Sequence, residues 1–166
     1  MVEQLWAPWR FDYVSTVDSA PKVQGCLFCE LPKLGDNDQT LIVARRPLAY
    51  CLLNRFPYTS GHLMVTPFRH VGTMEELKDE ELLEINQLVR DATIWLQTTH
   101  KPDGFNIGVN QGKAAGAGIP GHIHWHIVPR WAGDTNYMTP VGGVRVIPQS
   151  LESAWKLIRE AAGEAS

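Results

Sequence analysis

The segment from residue 122 to residue 128 alternates histidine with large apolar residues, reading His-Ile-His-Trp-His-Ile-Val. Because successive side chains of a β-strand point to opposite faces, this pattern predicts a strand with three imidazoles on one face. Ile123, Trp125 and Ile127 then form an apolar face that packs on a core. Pro129 cannot donate to a strand ladder and is expected to mark the end of the strand.

Other apolar runs predict the rest of the sheet. The runs at 48–54 and 62–66 are joined by turn residues at 57–61, which favours a hairpin. A further alternating run at 105–110 precedes the histidines and predicts a second hairpin with them. We therefore expect an α+β fold with a largely antiparallel sheet of about five strands.

Two helices are predicted around these strands. Thr73 and Glu76 have capping-box spacing, so we expect a long helix to begin there and to end before Lys101-Pro102. A second helix begins at about residue 151. The apolar residues at helical spacing are Leu82, Ile85, Val89, Ala92 and Leu96 in the first helix and Leu151, Ala154, Trp155 and Ile158 in the second.

Length and composition indicate one domain over residues 1–166, since 44% of the residues are hydrophobic and 20% are charged. We expect a core at about 24–133, an aromatic N-terminal arm at 1–23 and a C-terminal extension at 134–166. A net charge of −3 argues against nucleic acid or an anionic membrane as the main partner. Without a membrane span or signal sequence, the expected location is the cytoplasm.

Three histidines on one strand face suit either nucleophilic catalysis or a metal site, and the pattern alone favours neither. The glycine-rich loop at 112–121, directly before the histidines, favours catalysis on a phosphate. Its backbone N–H groups can approach phosphate oxygens without obstruction by side chains. Asn110 adds an amide donor at the entrance to the loop.

These motifs together resemble the histidine triad family of nucleotide hydrolases and transferases. Residues 122–128 match its motif of three histidines separated by apolar residues, and the likeness extends upstream through 53–57 and 61–67. The flanks at 5–10 and 129–136 are similar to a bacterial branch that includes diadenosine tetraphosphate phosphorylases. The resemblance implies an adenine-nucleotide substrate and a homodimer with helices packed across the two-fold axis. The N-terminal arm and Trp155 are candidate contact surfaces.

The resemblance also implies residue roles. His124 is expected to attack the α-phosphorus, forming a covalent nucleotidyl-histidine, and His126 to stabilise the departing group. His122 is expected to lie beside the site as an orienting or metal-held residue, and Asn54 to bind ribose hydroxyls. The expected phosphate contacts are Asn110, Gly116, Ala117, Gly118 and Ile119.

The pair Cys26 and Cys29 has a spacing that suits a metal or redox site. The family resemblance implies that His70 and His122 complete a structural Cys₂His₂ zinc site. The alternative is a pair of reduced cysteines with nothing bound. Cys51, in an apolar run, is expected to be a small core residue.

Three functions remain open at this level. The first is cleavage of dinucleoside polyphosphates with phosphate or water as acceptor, and the loop at 116–119 lacks the hydroxyl that many relatives carry there. The second is hydrolysis of nucleoside phosphoramidates or aminoacyl-adenylates. The third is a nucleotide-binding module without turnover. His62 and His100 are expected to be structural, and His100 to carry a positive charge that suits a helix end.

Overall fold

The computed structural model describes residues 25–134 and 147–163, so the predicted N-terminal arm lies outside the described residues. In chain order its elements are α1 (Leu27–Glu30), a 3₁₀ turn (Leu31–Leu34), β1 (Ile42–Arg45), β2 (Ala49–Leu53), β3 (Leu63–Pro67), a 3₁₀ turn (Met74–Glu76), α2 (Asp79–Thr99), β4 (Gly104–Val109), a 3₁₀ turn (Lys113–Ala115), β5 (Trp125–Arg130) and α3 (Leu151–Ala161).

The strands form one antiparallel sheet in the order β1-β2-β3-β5-β4. The hairpin of β2 and β3 pairs Ala49 with Pro67 and Leu53 with Leu63. In the second hairpin, β4 pairs with β5 from Gly104 opposite Arg130 onwards. The predicted α+β class and the sheet of about five strands are thus confirmed within the described ranges.

The histidine segment differs from its prediction at its beginning. β5 starts at Trp125, so His122 and His124 lie before the ladder and only His126 lies within it. The apolar residues that alternate with the histidines, Ile123, Trp125 and Ile127, are buried as predicted. The backbone entering β5 is instead held by single hydrogen bonds, one of which runs from the Ile123 N–H to a loop carbonyl.

Pro129 lies inside β5, opposite Phe105 of β4, rather than at the end of the strand. Its carbonyl accepts a hydrogen bond of 2.8 Å from Thr59 Oγ1, on the side away from β4. The missing N–H faces that same side, where pairing with β3 ends at Ile127. Proline therefore costs the sheet no ladder bond at this position.

The long helix also begins later than predicted. The capping box of Thr73 and Glu76 closes a single 3₁₀ turn, after which the chain is extended at Leu77 and Lys78. A second carboxylate starts α2, since Glu81 Oε2 accepts the N–H of Lys78 at 2.9 Å. Two such pairs follow one another in the sequence, and the spacing alone does not tell which one begins the helix.

The sheet separates two apolar clusters. Helices α2 and α3 cover the face that carries Ile123, Trp125 and Ile127, and form the main core. A smaller cluster lies on the opposite face. It consists of Phe28, Ile42, Tyr50, Leu52 and Met64. The histidines thus lie on the thinly covered face, beside α1, while α2 and α3 close the other face.

Helix α3 is fixed to the edge strand β1. Trp155 is buried, and its Nε1–H donates to the carbonyl of Ile42 at 2.7 Å, next to an irregularity in the β1–β2 pairing. The expectation that Trp155 forms a contact surface for a second subunit is therefore wrong. Among the described helices, none combines the length and the apolar character needed to span a bilayer.

Candidate active site

His124 is buried, and its ring is oriented by the backbone of the preceding histidine. Its Nδ1 lies 2.9 Å from the carbonyl oxygen of His122. Because a carbonyl only accepts, Nδ1 carries the proton and Nε2 keeps the lone pair. Burial lowers the pKa of His124 below its usual value near 6.5, so the unprotonated ring persists into mildly acidic solution. The free Nε2 has the electronic form that a nucleophile needs.

A separate series of hydrogen bonds gives His126 the other tautomer, with its proton on Nε2. The backbone N–H of Tyr58 donates to His62 Nδ1 at 3.1 Å, which places the His62 proton on Nε2. That Nε2 lies 3.0 Å from His126 Nδ1 and donates to it. The proton of a neutral His126 is therefore on its Nε2. The ring centroids of His124 and His126 are 5.0 Å apart, so one acceptor ring and one donor ring are neighbours in the site.

Sequence reasoning missed His62, which we expected to be only structural. It is fully buried and is the hydrogen-bond partner of His126. A signal was present, because strand alternation places His62 on the same face as Met64, which pairs with His126. The register of β3 against β5, which the sequence does not supply, was needed to use it.

Asn54 lies behind this histidine pair. Its Nδ2 is 3.3 Å from His62 Nδ1, and its Oδ1 accepts the N–H of Phe56 at 3.0 Å. One amide hydrogen remains for another acceptor. The predicted contact of Asn54 with ribose hydroxyls stays a prediction.

The glycine loop reaches the histidines through its backbone. Gly116 has a left-handed conformation with φ of 85°, and its N–H closes the 3₁₀ turn by donating to Lys113. The Ala117 N–H donates weakly across the same turn, at 3.4 Å. In the described ranges, the N–H groups of Gly118 and Ile119 make no hydrogen bond, so they are the loop donors available to a phosphate oxygen.

Ile119 and Asn110 take different positions around the histidines. The side chain of Ile119 packs on the small cluster that contains Phe28, while its carbonyl accepts the N–H of His122 at 3.2 Å. Asn110 follows β4 and lines a cavity of about 430 Å³ together with His126. The predicted phosphate contacts thus surround the histidines on two sides.

Four ligand atoms converge beside His124. The Cys26 Sγ lies 3.3 Å from His122 Nδ1, and the Cys29 Sγ lies 3.5 Å from His70 Nδ1. The ligand atoms of these four residues all lie within 4.8 Å of one another. Burial and the neighbouring Cys26 thiol raise the pKa of Cys29, a cost that a cation between the sulfurs removes.

The spacing fits a tetrahedral metal ion. Metal–sulfur bonds of about 2.3 Å and metal–nitrogen bonds of about 2.0 Å put neighbouring ligand atoms roughly 3.5 Å apart. His122 Nε2 lies 2.9 Å from the carbonyl of Pro67, which fixes Nδ1 as its metal-facing nitrogen. The predicted residues Cys26, Cys29, His70 and His122 can therefore hold a metal ion.

Two further predictions concern isolated residues. Cys51 is fully buried in β2, as expected of a core residue. His100 ends α2 between Thr99 Oγ1 at 2.7 Å and Gln149 Oε1 at 2.9 Å. Burial lowers the pKa of His100, which disfavours the positive charge expected there.

Comparison with known proteins identifies the family. The family model described as the HIT domain matches residues 36–133, which include the histidines, the glycine loop and the β2–β3 hairpin. The chain belongs to the HIT family. HIT enzymes are nucleotide hydrolases and transferases, and this chain is an enzyme of that kind.

Three relatives illustrate the range of the HIT family. The AP-4-A phosphorylase of Mycobacterium tuberculosis is 40% identical over 164 residues, which cover 95% of this chain and 83% of that protein. The adenosine 5′-monophosphoramidase hnt1 of Schizosaccharomyces pombe is 32% identical over 63% of this chain and 74% of its own length. A Zn-bound histidine triad family protein from Mycobacterium smegmatis has a TM-score of 0.68 and 25% identity, covering 84% of this chain and 94% of that one.

Proposed function

We propose that this HIT enzyme cleaves dinucleoside polyphosphates such as diadenosine tetraphosphate through a covalent nucleotidyl-His124 intermediate. The observation that carries the proposal is the hydrogen bond between His124 Nδ1 and the His122 carbonyl, which leaves Nε2 as a nucleophile. Its similarity to an AP-4-A phosphorylase along nearly the whole chain supports this substrate class.

In the first step, the lone pair of His124 Nε2 forms a bond to the α-phosphorus, and the bond from that phosphorus to its bridging oxygen breaks. His126 transfers its Nε2 proton to the departing oxygen, which leaves Nε2 able to take up a proton in the second step. The free N–H groups of Gly118 and Ile119, with the Asn110 amide, stabilise the charge on the non-bridging oxygens. Asn54 holds the ribose hydroxyls of the nucleotide that stays bound.

In the second step, an oxygen of phosphate or water attacks the same phosphorus and the phosphorus–nitrogen bond breaks. The proton of the entering group passes to His126, so both histidines return to their starting forms. Phosphate as acceptor gives a nucleoside diphosphate, and water gives a nucleoside monophosphate. No hydroxyl borders the acceptor in the loop at 116–119, so backbone N–H groups orient it.

We assign zinc to the cluster of Cys26, Cys29, His70 and His122. The Zn-bound relative supports zinc over other ions, as does the Cys₂His₂ ligand set. Zinc bound here supplies cross-linking of α1 to the segment before β5. His122 then serves as a ligand whose carbonyl orients His124, rather than as a proton carrier.

We also propose a homodimer in which α2 packs against α2 of a second copy. Leu83 and Ile94 on this helix are 62% and 55% exposed, which is high for large apolar side chains. Light scattering after a sizing column should give twice the chain mass for the parent and one chain mass for Ile94→Lys. The control Leu157→Lys changes an exposed residue of α3 and should remain dimeric.

The experiment that tests the function is product analysis of diadenosine tetraphosphate with and without inorganic phosphate. Phosphate-dependent ADP plus ATP identifies a phosphorylase, and AMP plus ATP in both conditions identifies a hydrolase. Protein denatured at alkaline pH, where the phosphorus–nitrogen bond is stable, should carry one adenylyl group, which His124→Ala should lack while losing at least about a thousandfold in turnover. Turnover without a protein-bound adenylyl group would contradict the covalent route.

A second candidate is hydrolysis of nucleoside phosphoramidates, the activity named for the Schizosaccharomyces pombe relative. His124 Nε2 and His126 Nε2 could also carry out this reaction, since His126 Nε2–H can protonate a departing amine. Adenosine 5′-phosphoramidate as the better substrate by kcat/KM would favour this candidate.

A further inference from the structure

The cavity beside His126 is larger than the reaction at the α-phosphorus requires. It runs over β4 and β5 on the histidine face, from His126 to Arg130 and Asp134, with Tyr58 and Asn106 along its sides. Its volume of about 430 Å³ is in the range of small-molecule sites. Neither the glycine loop at 116–119 nor Asn54 lines it, and Asn110 is the one proposed contact of the retained nucleotide that also lines the cavity.

The polar side chains of this β4–β5 cavity are arranged by one ion pair. The Arg130 guanidinium makes a two-pronged contact with the Asp134 carboxylate, including a 2.9 Å bond from Nη2 to Oδ1. Its Nη1 donates to Asn106 Oδ1 at 2.7 Å, which turns the Asn106 amide N–H groups outward. Because Asp134 offsets the charge of Arg130, the far end suits the hydroxyls and amides of a nucleoside.

The position of His126 decides which part of a substrate faces this cavity. His126 donates to the departing oxygen, so whatever is attached to that oxygen extends from His126 away from the glycine loop. Four strand residues from His126 to Arg130 span about 13 Å. That length accommodates the oligophosphate and brings the attached nucleoside to the Arg130 end, whereas the amine released from a phosphoramidate leaves most of the cavity empty.

Tyr58 provides a flat surface along this path. Its ring is stacked near the His126 ring, with centroids 6.1 Å apart, and 38% of the residue remains exposed. Exposed aromatic rings of this kind bind nucleobases by stacking.

We propose that the β4–β5 cavity binds the departing nucleoside oligophosphate and thereby selects dinucleoside polyphosphates over substrates with small leaving groups. This inference rests on the proposed function for the identity of the substrate. It adds Tyr58, Asn106 and Arg130 as specificity residues, with Gly108 as the floor of the cavity opposite His126.

Gly108 allows a direct steric test. A Cβ at Gly108 meets no atom within 4 Å, so the side chain of Gly108→Val has room to enter the cavity, and valine suits a strand. Gly104→Val is the matched control, since Gly104 lies on the same strand with equally open space and does not line the cavity. In a His124→Ala background without turnover, calorimetry gives the dissociation constants of AMP and diadenosine tetraphosphate for each variant.

We expect the parent to bind diadenosine tetraphosphate more tightly than AMP. Gly108→Val should reduce that preference at least about tenfold, and Gly104→Val should keep it. Asn106→Asp adds a negative charge to the cavity and should also reduce the preference for diadenosine tetraphosphate. This variant provides the test if Gly108→Val does not fold. Equal loss for both ligands, an unchanged preference, or no preference in the parent would overturn the inference.

The outcomes separate this inference from the proposed function. Turnover of diadenosine tetraphosphate by the unmodified chain tests the function alone. The ratio of dissociation constants tests the cavity alone, because it is measured without chemistry. An inactive parent whose preference is lost in Gly108→Val would refute the function and retain the binding site.

Discussion

His124 and His126 have the same side chain two positions apart and opposite nitrogens available for chemistry. The difference comes from their hydrogen-bond partners, a carbonyl for the first and the Nε2–H of His62 for the second. Each of these two series of hydrogen bonds begins at a backbone group, since the His122 carbonyl always accepts and the Tyr58 N–H always donates. The assignment of nucleophile and proton donor is therefore built into the backbone fold.

His62 gives the first prediction at this scale. His62→Leu removes the donor to His126 and should lower kcat by about 10- to 100-fold, because the proton on His126 Nε2 is no longer fixed. His62→Gln carries an amide N–H at nearly the same position and should retain most of the activity. The loss in His62→Leu should be greater for a poor leaving group than for a nitrophenolate. A loss independent of the leaving group would point to a merely structural role.

Gly61, next to His62, gives a prediction of stability. It has φ of 77°, and an added Cβ would lie 2.9 Å from Leu96 Cδ2 and 3.2 Å from the His100 ring. Gly61→Ala should lower the free energy of unfolding by about 2–4 kcal/mol, from backbone strain and overpacking together. Urea denaturation measures it, with Gly104→Ala, where the space is open, expected to change stability by less than about 0.5 kcal/mol.

The sequence was informative about residues wherever chemistry and local pattern coincide. The alternation at 122–128, the cysteine pair and the two hairpins were predicted because each depends on neighbours in the chain. His62, the late start of α2 and the position of Pro129 were not, since they depend on strand register and on contacts from distant turns. The expected positive charge of His100 is not favoured, because burial in the folded chain lowers its pKa more than the hydrogen bond to Gln149 raises it.

At the scale of elements, α1 has four residues and makes no stable helix by itself. Its position depends on Phe28, buried in the small cluster, and on the two cysteines that face His70 and His122. The Tyr50 hydroxyl adds a hydrogen bond of 2.6 Å to the carbonyl of Phe28. The Phe28 ring also contacts the ring of His124, with centroids 4.8 Å apart. Displacement of α1 therefore uncovers the proposed nucleophile.

Metal removal should show this dependence. Elemental analysis of the purified protein should give one zinc per chain. A chelator should lower the free energy of unfolding by at least about 3 kcal/mol, as expected for a tightly bound ion. Cys26→Ser should start at the lower stability and respond no further to the chelator. A chain without zinc, or one that a chelator leaves equally stable, would refute the metal site.

At the scale of the whole molecule, stability should depend on pH through its buried histidines. Burial lowers the pKa of His100, so below about pH 6.5 the unfolded chain binds a proton that the folded chain does not. Its contribution is therefore constant above pH 6.5, and stability falls as the pH decreases from there toward the folded-state pKa.

The matched variant isolates this histidine. His100→Gln should reduce the loss of unfolding free energy between pH 7.5 and pH 5.5 by up to about 1.4 kcal/mol per pH unit. Urea titrations at both pH values measure the difference. Equal losses in parent and variant would show that His100 takes up its proton in the folded state.

The attachment of α3 to Ile42 has a consequence for how copies of the chain can add to one another. The sheet has two outer strands, and Trp155 already occupies a backbone carbonyl on β1, while β4 has no covering element in the described ranges. Helix α3 thus protects an outer-strand carbonyl of β1 from pairing with the backbone of another chain.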